Sequence, residues 1–192
     1  MKGMFSNRYF ANPVWRRTSR GYNMVELITV TSIVAVLLAI ATPSYRYVTN
    51  ANRIASEGNG LLGDLQYARG EAIKEGQGVS VCVSTDGKTC TGTSNWEKGW
   101  IVFSDVNGNG VVNAGDIVLR VQAKFSGGDT FVATPSLAVV TFNREGFAAV
   151  ADNTIITLQT VPEVTSYTRC LSVRLVGLMA IQPYNGPSGT CL

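Results

Sequence analysis

A long apolar stretch near the N-terminus constrains this chain more than any other feature of its sequence. The eighteen residues from Met24 to Ala41 contain one charged side chain, Glu26. A helix rises about 1.5 Å per residue, so the stretch extends about 27 Å, close to the thickness of the hydrocarbon core of a bilayer. The stretch therefore predicts a helix that spans a membrane.

The distribution of charge predicts how that helix is oriented. Residues 1–21 contain no acidic side chain and five basic ones: Lys2, Arg8, Arg16, Arg17 and Arg20. The remainder, from Tyr22, has 11 basic and 13 acidic residues, a net charge of −2. By the positive-inside rule the N-terminus stays in the cytoplasm and the rest of the chain crosses the membrane. A mildly acidic body also argues against a broad nucleic-acid surface.

A secretory signal peptide is the alternative interpretation of the apolar stretch. Its cleavage would fall after the stretch, and Ala39-Ile40-Ala41 loosely fits such a site. The stretch is longer than a usual signal core, however, and it continues directly into helical sequence. These two features favour a membrane helix that is retained.

Beyond the apolar stretch the sequence changes to an amphipathic pattern. Pro43 is expected to kink or loosen the helix. From residue 45 to residue 73, apolar side chains recur at three- and four-residue spacings with charged residues between them. Gly58 and Gly60 weaken the helix in the middle, and Gly76 ends it. The pattern predicts one helical spine, apolar all round in its first half and two-faced in its second.

After this helix the hydrophobic period becomes two. Val79, Val81 and Val83 alternate with smaller residues, and turns rich in Gly, Asn and Asp separate the later segments. Six further candidate strands are predicted at 99–104, 117–122, 138–142, 154–160, 169–176 and 178–182. The order predicts an α+β fold, a long N-terminal helix packed on a mostly antiparallel β-sheet domain.

Tryptophan and phenylalanine side chains concentrate around the second candidate strand. Trp100, Ile101 and Phe103 follow one another closely, and aromatic residues at this spacing are typical of a core. We expect Trp96, just before the strand, to lie at the surface and to contact a partner.

The residues leading into the apolar helix, Arg20-Gly21-Tyr22-Asn23-Met24-Val25-Glu26-Leu27, form an unusual junction. A carboxylate so near a membrane span is costly unless it has a partner. If the chain is cut after Gly21, Tyr22 supplies a new α-amino group, and Glu26 lies one helical turn away. The α-amino group of one subunit can then pair with Glu26 of the next, and glycine leaves a bare backbone that a protease can approach.

Residues 20–45 resemble the class III signal of type IV prepilins and of type II secretion pseudopilins. The matching residues are Gly21, Glu26 and Pro43, while Tyr22 stands where phenylalanine is commonest. The resemblance implies cleavage after Gly21 by a prepilin peptidase and N-methylation of Tyr22. It also implies storage in the inner membrane, with a periplasmic domain, before extrusion into a pilus filament at the cell surface.

Three further segments are similar to minor pilins of the GspH/FimU/FimT type. They are Asp64–Ile73, Val79–Cys82, and Trp96 together with Gly99–Asp105. The resemblance covers most of residues 20–121. It implies the type IV pilin-like fold and a low-abundance filament subunit.

The same resemblance implies a division of the chain. Residues 1–21 are expected to be a cleaved prepilin leader, 22–48 the transmembrane and filament-core half of the helix, and 49–192 a periplasmic globular domain. The implied function is that of a minor pilin that primes pilus assembly at or near the tip. Such a subunit links other minor pilins to the major pilin.

Two related functions are alternatives. The first alternative is a GspH-like pseudopilin of a type II secretion system, which the sequence distinguishes only poorly from a pilus subunit. Some FimT-type relatives bind DNA through an arginine-bearing stretch near the C-terminus. The comparable residues here, Arg174–Met179, are apolar where arginines would be needed to neutralise phosphates, so DNA is not expected as a partner.

No enzymatic function is predicted. The chain has no histidine, which removes the commonest general base and metal ligand. Neither a nucleophile elbow nor a phosphate-binding loop is present in the sequence.

The four cysteines are Cys82, Cys90, Cys170 and Cys191, and they allow three pairings. In an exported domain the even number predicts two disulfides, with buried free thiols as the alternative. We favour Cys82–Cys90, which would staple a hairpin, and Cys170–Cys191, which would tie back the C-terminal loop. Pilins often fasten their C-terminal region in this way.

The segment Asp105–Asp116 resembles the calcium loop of an EF-hand. Its oxygen donors would be Asp105, Asn107, Asn109, the backbone of Val111, and Asp116. Aspartate in place of the final bidentate glutamate departs from that pattern. We favour a plain Asn-Gly turn between two strands, with no cofactor, over a calcium site.

Overall fold

A computed structural model describes residues 21–151, 154–184 and 191. Residues 1–20 of the basic leader, which was predicted for residues 1–21, lie outside the described residues, as do Gly186, Pro187 and Gly189 of the C-terminal loop. The chain divides into two compact units, Met1–Pro43 and Ser44–Leu192. We predicted the division between residues 48 and 49.

The first unit contains the start of helix α1, which runs from Met24 to Glu75. Asn23 begins it, since its carbonyl accepts a hydrogen bond from the Leu27 amide at 3.1 Å. The hydroxyl groups of this half donate to carbonyls one turn earlier, as Thr31 does to Leu27 and Ser32 to Ile28. These hydroxyl groups are therefore satisfied inside the helix, as a segment surrounded by lipid requires. Helical backbone continues through residue 43, and the kink there stays a prediction.

In the second unit the amphipathic half of α1 covers the core. Its buried side chains follow the predicted spacing: Ile54, Leu61, Leu65, Ala68 and Ala72. The helix ends where the sequence indicated, because Gly76 takes a φ of 68° and its amide donates to the Ala72 carbonyl at 3.0 Å.

Eight strands form two four-stranded antiparallel sheets. They are β1 Val79–Val83, β2 Gly99–Ser104, β3 Val118–Ala123, β4 Thr130–Thr134, β5 Val139–Phe142, β6 Thr154–Gln159, β7 Arg169–Val173 and β8 Met179–Pro183. The orders are β3-β2-β1-β5 in the first sheet and β4-β6-β7-β8 in the second. The predicted α+β fold with antiparallel strands is confirmed, and the division into two sheets is an addition.

Strand β4 was not predicted. It has the period-two pattern, with Phe131 and Ala133 buried and Val132 exposed. The segment is only five residues long and lies between Gly127-Gly128 and Pro135, so it resembles a turn region in the sequence. Its pairing with β6, about 25 positions away, makes it a strand.

The first sheet is covered on both faces. Val79, Val81 and Val83 of β1 point into the main core with α1, while Cys82 packs with Ile101 and Phe103 of β2 on the other face. This arrangement explains why every residue of β1 and β2 is buried.

The expectation that Trp96 lies at the surface is wrong. Trp96 is fully buried, and its indole N–H donates to the carbonyl of Leu137 at 3.0 Å. That partner is 41 positions away, so the local sequence gave no sign that the polar tip of the ring would be satisfied. Trp100, Ile101 and Phe103 are buried as predicted.

Candidate functional site

The apolar half of α1 has no cover within this chain. Every side chain described from residue 21 to residue 42 is exposed, and Tyr22 is 83% exposed. Among the described residues, α1 is the one helix long and apolar enough to cross a membrane. An uncovered apolar surface of this size requires a lipid or protein environment.

Gly21 and Glu26 lie at the start of this surface. Glu26 lies in the first turn of α1, and its carboxylate accepts no hydrogen bond from any described residue. At Gly21, an added Cβ would meet no atom within 4 Å. The fold therefore gives no steric reason for glycine at position 21, and the roles predicted for Gly21, Tyr22 and Glu26 stay predictions about contacts with other molecules.

Disulfides join Cys82 to Cys90 and Cys170 to Cys191, each with a Cα–Cα distance of 5.6 Å. The first closes the loop after β1, within which Asp86 organises the turn. Hydrogen bonds from the Thr89 hydroxyl, the Thr89 amide and the Lys88 amide hold the pKa of Asp86 well below its usual range. The disulfide and the hydrogen bonds to the Asp86 carboxylate thus fix the conformation of this loop.

The side-chain oxygens of the loop from residue 105 to residue 116 are engaged by donors of the same chain. Asp105 is buried, and its carboxylate accepts bonds from the Ser80 hydroxyl at 2.7 Å and the amides of Asn109 and Gly110. Asp116 accepts from the Asn113 amide at 2.8 Å. No group of three or more acidic, Cys or His side chains suited to a metal occurs in the described part of the chain.

The remaining predicted calcium donors take part in the same turn. Asn107 and Asn109 each accept a bond from a backbone amide two residues later, at 3.2 and 2.9 Å. Asn113 donates from its side-chain amide to the carbonyl of Val111 at 2.8 Å. These are the local bonds by which asparagine builds turns, and they connect β2 to β3.

A partly buried ionic cluster, which sequence analysis missed, joins α1 to the connection between β3 and β4. The carboxylate of Asp129 is wholly buried and accepts two bonds from the Arg53 guanidinium, at 2.6 and 2.7 Å. Gly127 lets the connection approach closely, since an added Cβ would lie 3.2 Å from the Arg53 Nε. Asp129 is 76 positions from Arg53, so no local pattern pointed to this pair.

Glu57 completes this cluster one helical turn beyond Arg53. Its Oε2 atom is buried and has no hydrogen-bond partner among the described residues. Burial raises the pKa of Glu57 to about 7, and the nearby Asp129 carboxylate adds to the increase. This site therefore favours the protonated form of Glu57 over the ionised form.

A second cluster fixes the amphipathic half of α1 to the first sheet. The Asp64 carboxylate accepts bonds from the Trp100 indole and from Arg120, each at 2.9 Å. The Arg120 guanidinium lies 3.7 Å from the centre of the Tyr67 ring. The segments resembling minor pilins, Asp64–Ile73 and Gly99–Asp105, thus contact each other.

Comparison with known proteins identifies the family. The model of the family described as Type II transport protein GspH matches residues 57–177, from α1 to the turn between β7 and β8. None of the curated proteins compared with the chain matches it.

Two crystal forms of one solved protein have a similar fold. The type IV minor pilin FimU of Pseudomonas aeruginosa strain PAO1, in space group P21, has a TM-score of 0.54 at 24% identity, covering 69% of this chain and 90% of that one. The P65 form has a TM-score of 0.50 at 23% identity, with coverages of 69% and 92%. At these identities the likeness supports the fold.

The family match includes both the amphipathic half of α1 and the two sheets, well over half of the residues of the chain. The resemblance to minor pilins of the GspH/FimU type noted in the sequence is thereby confirmed. The chain belongs to the GspH family, and its fold is that of a type IV minor pilin.

Proposed function

We propose that this chain is a minor pilin that enters a type IV pilus from the inner membrane. In this proposal a prepilin peptidase cuts after Gly21, Tyr22 is N-methylated, and the apolar half of α1 passes from the bilayer into the filament core. The observation that carries the proposal is that this half, residues 24–42, is wholly uncovered in a chain of the GspH family.

Glu26 would make the transfer of the helix from the bilayer into the filament energetically favourable. A carboxylate at the centre of a membrane helix costs about 2.5–3.5 kcal/mol on insertion scales, and Glu26, in the first turn of α1, would bear a part of that cost. In a filament, the α-amino group of a neighbouring subunit would pair with it and offset that cost. The proposal therefore assigns Glu26 to subunit assembly, and the lack of a hydrogen-bond partner for its carboxylate among the described residues supports this assignment.

The proposed position is at or near the tip, where the subunit primes assembly and links other minor pilins to the major pilin. Resemblance to the GspH/FimU/FimT type supports this position. The chain would have its N-terminus in the cytoplasm and its domain in the periplasm before extrusion. The proposal includes no catalytic role and no DNA partner, in keeping with the −2 net charge from Tyr22 onward.

A GspH-like pseudopilin of a type II secretion system is the second candidate. The observation that favours it is the family match itself, whose description refers to type II transport. Deletion of the gene from its host distinguishes the two. Loss of surface pili with normal protein secretion would support the pilus subunit, and the reverse would support the pseudopilin.

The test of processing uses the full chain in its host. Gly21→Val should leave the precursor uncut, so that mass spectrometry finds the leader still attached and no methylated Tyr22. Gly70→Ala is the matched control, because an added Cβ at position 70 also meets no atom within 4 Å. Normal cleavage of the Gly21→Val variant would contradict the proposal.

Calcium is proposed to have no role in the loop 105–116. Because amide and hydroxyl hydrogens already engage the Asp105 carboxylate, we expect Ca²⁺ at millimolar concentration to leave the unfolding temperature unchanged. Differential scanning calorimetry of the full chain in detergent measures the unfolding temperature, and calorimetric titration measures any heat of binding. Heat of binding that Asp116→Asn abolishes would establish a calcium site instead.

A further inference from the structure

A group of exposed apolar side chains lies on the second unit, beside the C-terminal end of α1. We call this group the apolar end, and it consists of Ile73, Val106, Phe147, Leu175, Val176 and Leu178. Each of these residues is between 48% and 62% exposed. Together they present on the order of 500 Å² of apolar surface, within the range of the largest patch on a typical monomer, which is often functional.

Close contacts join the segments that form the apolar end. An added Cβ on Gly146 would lie 2.8 Å from the Ile73 Cδ1 atom, and the Ala148 amide donates to the Leu175 carbonyl at 2.9 Å. At Gly177, whose φ is 74°, any side chain would collide with the Gly146 carbonyl. The end of α1 and the turns around residues 146 and 177 therefore form one continuous surface.

The same region contains a cleft of about 670 Å³. Its lining includes Val106, Phe147 and Leu175, together with the backbone that follows α1. A second, smaller hollow of about 350 Å³ has Ile73 and Leu178 in its lining. The surface is thus concave, as a site for an inserted side chain or loop requires.

Hydrogen bonds hold both turns in place. The side chain of Asn143 accepts bonds from the amides of Glu145 and Phe147, at 3.0 and 2.9 Å. In the second turn the Arg174 amide donates to the Leu178 carbonyl at 2.9 Å. A preorganised surface loses less conformational entropy on binding, which favours a contact role.

Among the described residues around the apolar end, Arg174 is a cation without a carboxylate partner. Arg144 pairs with Glu145, and Arg69 donates to the Gly146 carbonyl at 3.0 Å. Arg174 is exposed, and its guanidinium contacts no carboxylate among the described residues. A carboxylate on the partner would complement it.

The position and size of the surface indicate the kind of partner. Ile73 lies 29 residues along α1 from Ser44, about 44 Å at 1.5 Å per residue, so it is far from the start of the second unit. A standard stable interface buries about 800 Å² on each partner, which exceeds this patch. The contact alone would be weak, and a partner held nearby by another contact would bind far better through its high effective concentration.

We propose that the apolar end docks an apolar, carboxylate-bearing surface of a different pilin-like subunit. The inference rests on the proposed function, because the apolar half of α1 would supply the second contact that holds the two subunits together. The partner's carboxylate would face Arg174, and its apolar side chain would enter the cleft beside Phe147 and Leu175.

Photocrosslinking of the full chain in its host membrane tests the inference. A benzophenone amino acid replaces Phe147 or Leu178, and mass spectrometry identifies the captured protein. Val161 is the matched position, since it is 60% exposed like Leu178 and lies beyond the opposite end of strand β7. We expect a pilin-like subunit, recognised by its basic leader or apolar N-terminal helix, at Phe147 and Leu178 but not at Val161.

A third position separates failure of the inference from failure of the proposed function. Ile33, in the apolar half of α1, should capture pilin subunits if the chain assembles into a filament. Capture at Ile33 without capture at Phe147 and Leu178 overturns the inference and leaves the proposed function standing. Capture at neither site contradicts both, and capture of a second copy, lipid or DNA at Phe147 also overturns the inference.

Two substitutions provide a quantitative measure. Leu175→Ala should lower the crosslinking yield at Leu178 about fivefold, the effect expected for an apolar anchor of an interface. Arg174→Glu should lower it as well, whereas Arg174→Lys should retain most of it. Unchanged yields in both Leu175→Ala and Arg174→Glu, with unaltered unfolding temperatures, would overturn the inference.

Discussion

The two halves of helix α1 differ in what their apolar side chains contact. From residue 24 to residue 42 every side chain is exposed, whereas the second half buries one side chain every three or four residues from Leu61 to Ala72. Both halves are helical, so helix formation itself does not depend on burial by this chain. The comparison teaches that composition specifies the environment of the first half, while periodicity specifies the packing of the second.

The largest expected effect separates the two halves by their contribution to the stability of the domain. Leu65→Ala should lower the free energy of unfolding by about 2–5 kcal/mol, because Leu65 is completely buried in the main core. Leu37→Ala, in the exposed half, should leave it unchanged. Denaturant titration of the full chain in detergent, followed by the fluorescence of the buried Trp96 and Trp100, measures both. Equal losses of unfolding free energy in the two variants would contradict the proposed difference between the two halves of α1.

The cluster on the second half predicts a dependence on pH. Because the Glu57 pKa is about 7 in the folded chain and 4.5 without perturbation, the folded state binds more protons between these values. The contribution of Glu57 to the free energy of unfolding should therefore be largest below about pH 4.5. It should fall as the pH rises to 7. After allowance for the partial exposure of Glu57, we expect a loss of about 1–2 kcal/mol.

Glu57→Gln tests that dependence, since it removes the titrating group while keeping its shape. Unfolding in denaturant at pH 4.5 and pH 7.5 should show a smaller difference in this variant than in the wild type. Glu75→Gln, on the exposed surface near the end of α1, is the control and should keep the wild-type difference. An equal pH dependence in Glu57→Gln would show that another group is responsible.

The smallest expected effect compares two glycines two positions apart in the second half. At Gly60 an added Cβ meets nothing within 4 Å, so Gly60→Ala should stabilise the helix by about 0.5–1 kcal/mol. At Gly58 the Cβ would lie 2.7 Å from the Leu158 Cδ2 atom, so the clash should cancel that gain or exceed it. Thermal unfolding of the two variants measures the difference. A higher unfolding temperature for Gly58→Ala would mean that β6 does not approach the helix this closely.

These glycines also show where prediction from sequence stops. Gly58 and Gly60 looked alike as weak points of a helix, and only the approach of Leu158 distinguishes them. The strands other than β4 were predicted within a few residues, because alternation is a local property. Which strands share a sheet depends on pairings such as β1 with β5, about 60 positions apart, which no local pattern contains.

By itself the sequence determined the features that adjacent residues specify. The apolar stretch, the three- and four-residue spacing of the second half and the glycine at its end required only neighbouring side chains and the geometry of a helix. Likewise, the junction at Gly21, Tyr22 and Glu26 is contained in a few consecutive residues.

The tertiary structure decided the features that depend on distant partners. It buried Trp96 against Leu137, and it brought Asp129 to Arg53 and Glu57. It also formed the exposed apolar end by bringing four separate segments together at one end of α1. The physical reason is that burial, the desolvation of a charge and the shape of a surface are set by the atoms that surround a residue in space, whatever their distance along the chain.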